Sequence, residues 1–368
     1  MADYGTKLAE AFSQKILVEL YDKDLLDVIV NRDYEGEINS VGSKIDILNF
    51  DRLSEQTYAN TALTADDLTE NNSQLIIDQY KSFYWKEKTL ARWLSYIKNP
   101  HATIVSQVAN ERAKNMDTFA FGLYGDIGAG NRVGTTYDTG TVTITATTGV
   151  VEGIGGMTFT AGMVGKGFKA VGHSTWYRVK SVTDTDTLVI EDDLDDVDSA
   201  YTGGALAGVA YKIEDSSVLQ ISTANLLGYV AKLKEKLDLA EKNGYSSVPD
   251  TDRFLLVPPE FETMLIQATG VALHVPAVYE DLVKKGFITE LQGFKVFKTN
   301  RLTGNNTDGY NIIAGHKMWM TFAEKILKAR MEEDITGDFG SAYKDLFVYG
   351  AKVTDARRHM ATGGLWKF

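Results

Sequence analysis

Between Thr135 and Asp215 the chain changes character, and that change constrains the architecture more than any other feature. The segment contains no proline, is rich in Thr and Gly, and carries twelve acidic against five basic residues, a net of -7 out of -12 for the whole protein. Within it lie short alternating runs: TVTITAT at 141–147, WYRVKSV at 176–182, TLVIED at 187–192 and VAYKIED at 209–215. β-Branched or aromatic residues alternating with polar ones, broken by Gly and Asp, specify a small antiparallel β unit. Its expected core is Val142, Ile144, Phe159, Phe168, Trp176, Tyr177, Val179, Leu188, Val189, Ile190, Val209, Tyr211 and Ile213. Gly128, Gly130, Gly134, Gly203 and Gly204 at its flanks read as flexible connections.

Helical sequence lies on both sides of this unit. Upstream, Asn99 is placed to cap and Pro100 to open a helix in which Ile104, Val105, Val108, Ala109, Met116, Ala120 and Leu123 recur at three- and four-residue spacing. Downstream, a second helix is expected from Ser222 or Thr223, with Leu226, Leu227, Val230, Leu233, Leu237 and Ala240 on one side and Gly244 as its stop. The β unit is therefore an insertion between two helices.

The first hundred residues have another texture. ILVEL and DLLDVIV, within 11–30, pair apolar residues with charges, as suits an arm that buries one side on a partner surface. EGEINSVGSKIDILNF and QLIIDQYKSFYWKEKTL read as two long strands joined by the polar tip ALTADDLTENN. A lone ribbon of this kind is marginal in water, so it is expected to dock on a neighbouring chain. The residues expected at such contacts are Ile45, Ile47, Leu48, Leu75 and Ile77 in the ribbon, and Leu17, Leu20, Leu25 and Ile29 in the arm.

Composition removes several function classes. The protein has 368 residues, long enough for two or three domains, and no cysteine, so disulfides, thiolate catalysis and Cys-ligated zinc are excluded. The N-terminus lacks the basic and apolar regions of a secretory signal, and no run of about 18 apolar residues is present. An acidic balance argues against sequence-specific DNA binding, which needs basic faces, but permits a wall that merely encloses DNA.

No motif carries chemistry strongly. GAGNRVG at 128–134 follows a helix and lacks both GxGxxG spacing and a P-loop lysine, so a linker is expected there in place of a phosphate cradle. The acidic run Glu191, Asp192, Asp193, Asp195, Asp196 and Asp198 lacks the glycine and terminal glutamate of an EF-hand loop, which favours a solvated loop over a calcium site. His101, His173, His274, His316 and His359 are scattered without ligand spacing. The aromatic cluster Tyr80, Phe83, Tyr84 and Trp85 lacks interleaved basic density and reads as packing beneath the ribbon. No catalytic residue, cofactor or metal is expected.

The stretch from Arg253 to Met360 supplies a resemblance. RFLLVPPEFETML, ITELQGFKVFKTNRL and GHKMWMTFAEKILKARMEEDITGDFGSAYKDLFVYGAKVTDARRHM follow one another in an order similar to that of tailed-bacteriophage major capsid proteins of the Hong Kong 97-type fold. The resemblance implies an α+β subunit divided into an N-terminal arm at 1–36, a projecting E-loop with flanking strands at 37–88, and a peripheral domain at 89–134 whose spine helix spans 100–125. The inserted β domain at 135–215 follows, then a mainly axial domain at 216–309 and returning strands at 310–368. It also implies self-assembly into pentamers and hexamers of an icosahedral head enclosing double-stranded DNA, in a virion assembled in the host cytoplasm. Scaffolding, portal and decoration proteins are the implied partners, with no membrane. The scaffolding protein is expected to be separate, because no long N-terminal helical segment suits a fused one. Two other readings stay open: an encapsulin-like bacterial shell, and a glycan- or nucleotide-binding module.

Overall fold

The computed structural model describes residues 25–34, 44–50, 55, 65, 70–88, 100–192, 199–215, 217–243, 245–272, 290–333 and 340–368. Three apolar clusters organise them, each beside its own sheet.

The segment after residue 135 forms seven antiparallel strands: β5 (Thr141–Ile144), β6 (Val150–Ile154), β7 (Gly167–Ala170), β8 (Tyr177–Val182), β9 (Thr187–Asp192), β10 (Leu206–Val209) and β11 (Tyr211–Ile213). Their order is β10-β5-β6-β9-β8-β7-β11, so the two end strands are successive stretches of one segment, separated only by Ala210. Leu206–Val209 pairs with β5 and Tyr211–Ile213 with β7, which rolls the sheet into a barrel. Closure of this kind leaves no free strand edge to recruit another chain. Val142, Ile144, Val151, Phe159, Phe168, Val179, Leu188, Ile190, Tyr211 and Ile213 fill the interior. Met157, Met163 and Tyr201 join them from outside the alternating runs. Trp176 is not among them: it precedes β8 at the barrel's end and lies half-buried in a contact with the rest of the chain.

The main core lies around a second sheet, ordered β12-β20-β17-β13-β15-β14, with β16 paired to β17. Its members are β12 (Leu219–Gln220), β13 (Arg253–Val257), β14 (Glu290–Leu291), β15 (Phe294–Lys298), β16 (Gly304–Asn305), β17 (Gly309–His316) and β20 (Ala361–Lys367). The expected division at 309/310 falls inside the β16–β17 hairpin, where Gly304 pairs with Tyr310. Strand pairing across that boundary, between β13 and β17 and between β12 and β20, fuses the two expected units into one sheet. All five residues of β13, RFLLV, are buried, as suits a central strand covered on both faces.

Among the described residues, besides the single turn α1 (Leu26–Ile29), three α-helices flank these strands: α2 (Pro100–Gly122), α3 (Leu226–Asp238) and α4 (Pro259–Ala272). In α3, Leu226, Val230, Leu233 and Leu237 form one fully buried stripe. The helix starts later than expected because the Asn225 side chain accepts the Ser222 N–H at 2.8 Å and holds 222–225 as a turn. In α2 only the C-terminal half of the apolar stripe is covered: Met116, Ala120 and Phe121 are buried, whereas Val105 is 44% exposed.

The third sheet is built on two long strands, β18 (Thr321–Glu333) and β19 (Gly340–Lys352), paired along their full length. β3 (Gln79–Lys81) and β4 (Tyr84–Lys88) share the other edge of β19. Over this sheet lies the ribbon of β1 (Lys44–Phe50) and β2 (Glu70–Ile76), paired in register from Lys44↔Ile76 to Phe50↔Glu70.

Candidate functional site

Among the surfaces that could meet other molecules, the ribbon is the first to test. Ile45, Ile47, Leu75 and Ile77 are all buried, packed with Ala323 and Val348 of the subunit's own third sheet. The expectation that these residues wait for a neighbour is corrected: period-two alternation turns them inward together, and the sheet beneath already provides apolar cover. The opposite face presents Lys44, Asp46, Gln74 and Ile76, the last 47% exposed. Leu48 lies in β1, but its side chain is outside the described residues.

The arm residues divide similarly. Leu25 and Ile29 are buried in the main core, and the backbone carbonyl of Ile29 accepts the Trp319 indole N–H at 3.0 Å. Both therefore belong to the subunit interior, again correcting the expectation of a neighbour contact. Leu17 and Leu20 lie outside the described residues.

Where the barrel meets the main body, the glycine-rich stretch is a packed joint in place of the expected flexible linker. Gly130 adopts φ +88°, and a Cβ there would lie 2.4 Å from the Trp176 indole nitrogen, so the indole seats directly on the backbone. A Cβ at Gly134 would meet Asp215 at 2.3 Å. Asp215 is fully buried at φ +54°. It accepts hydrogen bonds from the Tyr124 hydroxyl at 2.8 Å, the Lys166 ammonium at 3.1 Å and the Leu365 N–H at 3.1 Å. One carboxylate thus ties the end of α2, the barrel and β20. Burial, followed by the charge of Asp215, pushes the Tyr124 phenol well above its usual range and keeps it a donor. Beside it, the Arg132 guanidinium donates to the carbonyls of Gly165 at 2.9 Å and Gly125 at 2.7 Å, and lies 5.2 Å from the Tyr124 ring centroid.

An open cleft of about 840 Å³ runs along this joint, between the barrel and α3. Five lysines line it, Lys169, Lys212, Lys232, Lys236 and Lys242, against two acids, Glu214 and Glu235. Lys212 stands 4.8 Å and Lys236 5.8 Å from the Trp176 ring centroid. Lys236 also donates to the Gly130 carbonyl at 2.5 Å and pairs with Glu214 at 3.2 Å. Lys232 and Lys242 are exposed. Sequence reading missed this concentration because its members come from three separate segments. A partial signal was available in Lys232 and Lys236, one turn apart on α3.

The other singled-out residues take structural roles. His173 bonds the Tyr201 hydroxyl at 2.8 Å. His316 caps the short turn after β17 by accepting the Met318 N–H at 3.2 Å. His359 stacks on Tyr245 at 5.0 Å. The side chain of His101, and His274 entirely, are outside the described residues, as is 193–198 of the acidic run. Among the described residues no group of three or more His, Asp or Glu is arranged to hold a metal ion. Trp85 stacks on Tyr343 at 5.1 Å, while Tyr80 and Tyr84 are 45% and 56% exposed, so the aromatic cluster is only half absorbed by packing.

Comparison with known proteins gives this architecture its place. A family model described as phage capsid protein matches residues 174–361, just over half of the chain. A structure from Mycobacterium phage Che8 superposes with a TM-score of 0.57 at 16% identity, covering 96% of each chain. The capsid structure of cyanophage P-SCSP1u gives 0.57 at 13% identity, covering 97% of this chain and 92% of the other. The asymmetric unit of the bacteriophage PhiM1 mature capsid gives 0.54 at 10%, with 97% and 91% covered. A search of curated proteins found no match. At such identities the structural likeness speaks for the fold alone, and the family match carries the rest. The chain belongs to the phage capsid protein family: it is a major capsid protein of the Hong Kong 97-type fold, a structural subunit of the virion and not an enzyme.

Proposed function

We propose that this subunit assembles into pentamers and hexamers that close into an icosahedral head around double-stranded DNA. In this reading 1–36 is the arm, 37–88 the E-loop with its flanking strands, 100–122 the spine helix and 135–215 an inserted domain. A separate scaffolding protein and a portal take part, and assembly proceeds in the host cytoplasm. The observation that carries the reading is the ribbon. Its inner face is anchored on the subunit's own third sheet, and its two strands stay in register from Lys44↔Ile76 to Phe50↔Glu70. A ribbon anchored in this way leaves the face of Lys44, Asp46, Gln74 and Ile76 open to a neighbour, and head-to-tail contacts between unlike surfaces generate closed rings. Many modest contacts then add up through effective concentration.

The test is direct imaging of the purified protein by negative stain, supported by sedimentation. Rings or closed shells are the expected result. A subunit that remains monomeric at high concentration, with and without a co-expressed scaffolding protein, would refute the proposal.

A further inference from the structure

The lysine cleft is opposite in charge to the chain as a whole. In a protein of net charge -12, five lysines around one opening form a positive island. Two of them, Lys212 and Lys236, are partly occupied by Glu214. The exposed pair Lys232 and Lys242 and the half-buried Lys169 face the opening, and Glu235 is the other acid there. Such a cleft attracts an anionic surface.

The same subunit carries a surface of opposite charge. β8 begins beside the joint at Trp176 and runs outward, and the β8–β9 hairpin turns through Thr183–Asp186. At about 3.3 Å per residue, the tip stands roughly 20 Å from the joint, at the far end of the barrel. Asp184 and Asp186 are exposed on it, with Glu152 alongside on the neighbouring strand, where it pairs with Thr187. The Asp186 N–H bonds the Asp184 carboxylate at 3.1 Å, which fixes the turn. Hydrogen bonding to Asp184, then that residue's charge, holds the Asp186 carboxyl above its usual range. Two carboxylates so close together gain from a nearby cation.

We infer that the acidic hairpin tip at Asp184 and Asp186 of one subunit docks into the lysine cleft of a second copy of this chain. The contact is head-to-tail, joining unlike surfaces, as ring or shell formation requires. Its free energy is electrostatic, so it contributes selectivity and association rate as well as affinity, and it weakens with salt. The inference rests on the reading that the protein forms shells.

The absence of native cysteine makes a direct test possible. Two single variants, Asp186→Cys and Lys232→Cys, are mixed, assembled and oxidised. Disulfide-linked pairs are expected from the mixture and not from either variant alone. Particles of normal sedimentation that yield no linked pairs overturn the inference. A second measurement uses charge reversal in the cysteine-free chain. Reversing the tip (Asp184→Lys with Asp186→Lys) or the cleft (Lys232→Glu with Lys242→Glu) is expected to raise the concentration needed for assembly roughly tenfold. Combining all four in one chain restores it, and the melting temperatures stay near that of the natural protein. Tip reversal that leaves assembly unchanged, or a four-fold variant no better than the two-fold ones, overturns the docking. A natural protein that forms no particles refutes the shell reading instead.

Discussion

Replacing Asp215 by asparagine isolates what the joint contributes. The carboxylate is fully buried and holds three donors: the Tyr124 hydroxyl, the Lys166 ammonium and the Leu365 N–H. Asparagine has nearly the same shape and tolerates the φ of +54°, where alanine would add backbone strain. Its amide, however, has one accepting oxygen, and its NH₂ must face either a cation or another N–H donor. The Lys166 side chain is only 14% exposed and loses its counter-charge. Removing one partner of a fully buried pair costs about 3–5 kcal/mol, and the partial exposure of Lys166 reduces this to about 2–4 kcal/mol. Tyr124→Phe deletes a single hydrogen bond to the same carboxylate and should cost about 1–2 kcal/mol.

Urea unfolding of the unassembled subunit is the assay, followed by tryptophan fluorescence and by far-ultraviolet circular dichroism. Because Trp176 sits on Gly130 at the joint, its signal should depart early in Asp215→Asn, and the two probes should cease to coincide. Lys166→Met supplies the internal control. Once the ammonium is gone, the asparagine no longer strands a charge, so the double variant should fall short of additivity by about 1–3 kcal/mol. An Asp215→Asn protein within about 0.5 kcal/mol of the natural one, with coincident probes, would refute the reasoning.

Three further outcomes are expected. Burial holds His359 at about 4, with the bond to Ser246 offsetting this only in part. An unfolded imidazole titrates near 6.5, so the contribution of His359 is complete above about pH 7 and is lost as pH falls from 6.5 through 4, by up to about 3 kcal/mol; His359→Phe should flatten that slope in pH-dependent urea midpoints. His173 and His316, both lowered first by burial, act in the same direction. Replacing 51–69 by Asn-Gly joins Phe50 to Glu70 through a two-residue turn and should leave the melting temperature unchanged while abolishing regular shells in electron micrographs. Deleting 1–24 should spare subunit stability, whereas deleting 1–30 also removes the buried Leu26 and Ile29 and should cost at least about 4 kcal/mol in the same unfolding assay.

What was legible in the sequence was periodic. TVTITAT, WYRVKSV and TLVIED became β5, β8 and β9 because alternation with an apolar inner face leaves a strand little choice of side, and the α3 stripe was legible for the equivalent reason at helical period. Closure of the barrel was not legible: it depends on Leu206–Ile213 pairing with β5 at one end and β7 at the other, a non-local fact with no local signature. The glycines misled, since conformational freedom and absence of bulk both select glycine, and at Gly130 and Gly134 it is close approach by Trp176 and Asp215 that demands it. The ribbon misled in another way. Alternation in Ile45, Ile47, Leu75 and Ile77 showed correctly that one face is covered, but not which chain covers it. The lysine cleft is assembled from the barrel, α3 and the turn after it, so its density exists only in three dimensions.

The rigidity of the joint has a geometric justification. A docking tip about 20 Å from its pivot moves about 3.5 Å for every 10° of rotation, enough to carry a carboxylate out of reach of an ammonium. A barrel on freely rotating glycines would present Asp184 and Asp186 in all directions, and each contact around a ring would bear the entropy of fixing one direction. The buried carboxylate of Asp215, the guanidinium of Arg132 and the seat of Trp176 on Gly130 fix that direction during folding, before any neighbour arrives. An Asp215→Asn subunit that is still folded at working temperature should therefore assemble at higher concentration than its melting curve alone implies, although residue 215 lies far from the docking tip. If assembly of that variant followed its folded fraction and nothing more, orientation would not be what the joint contributes.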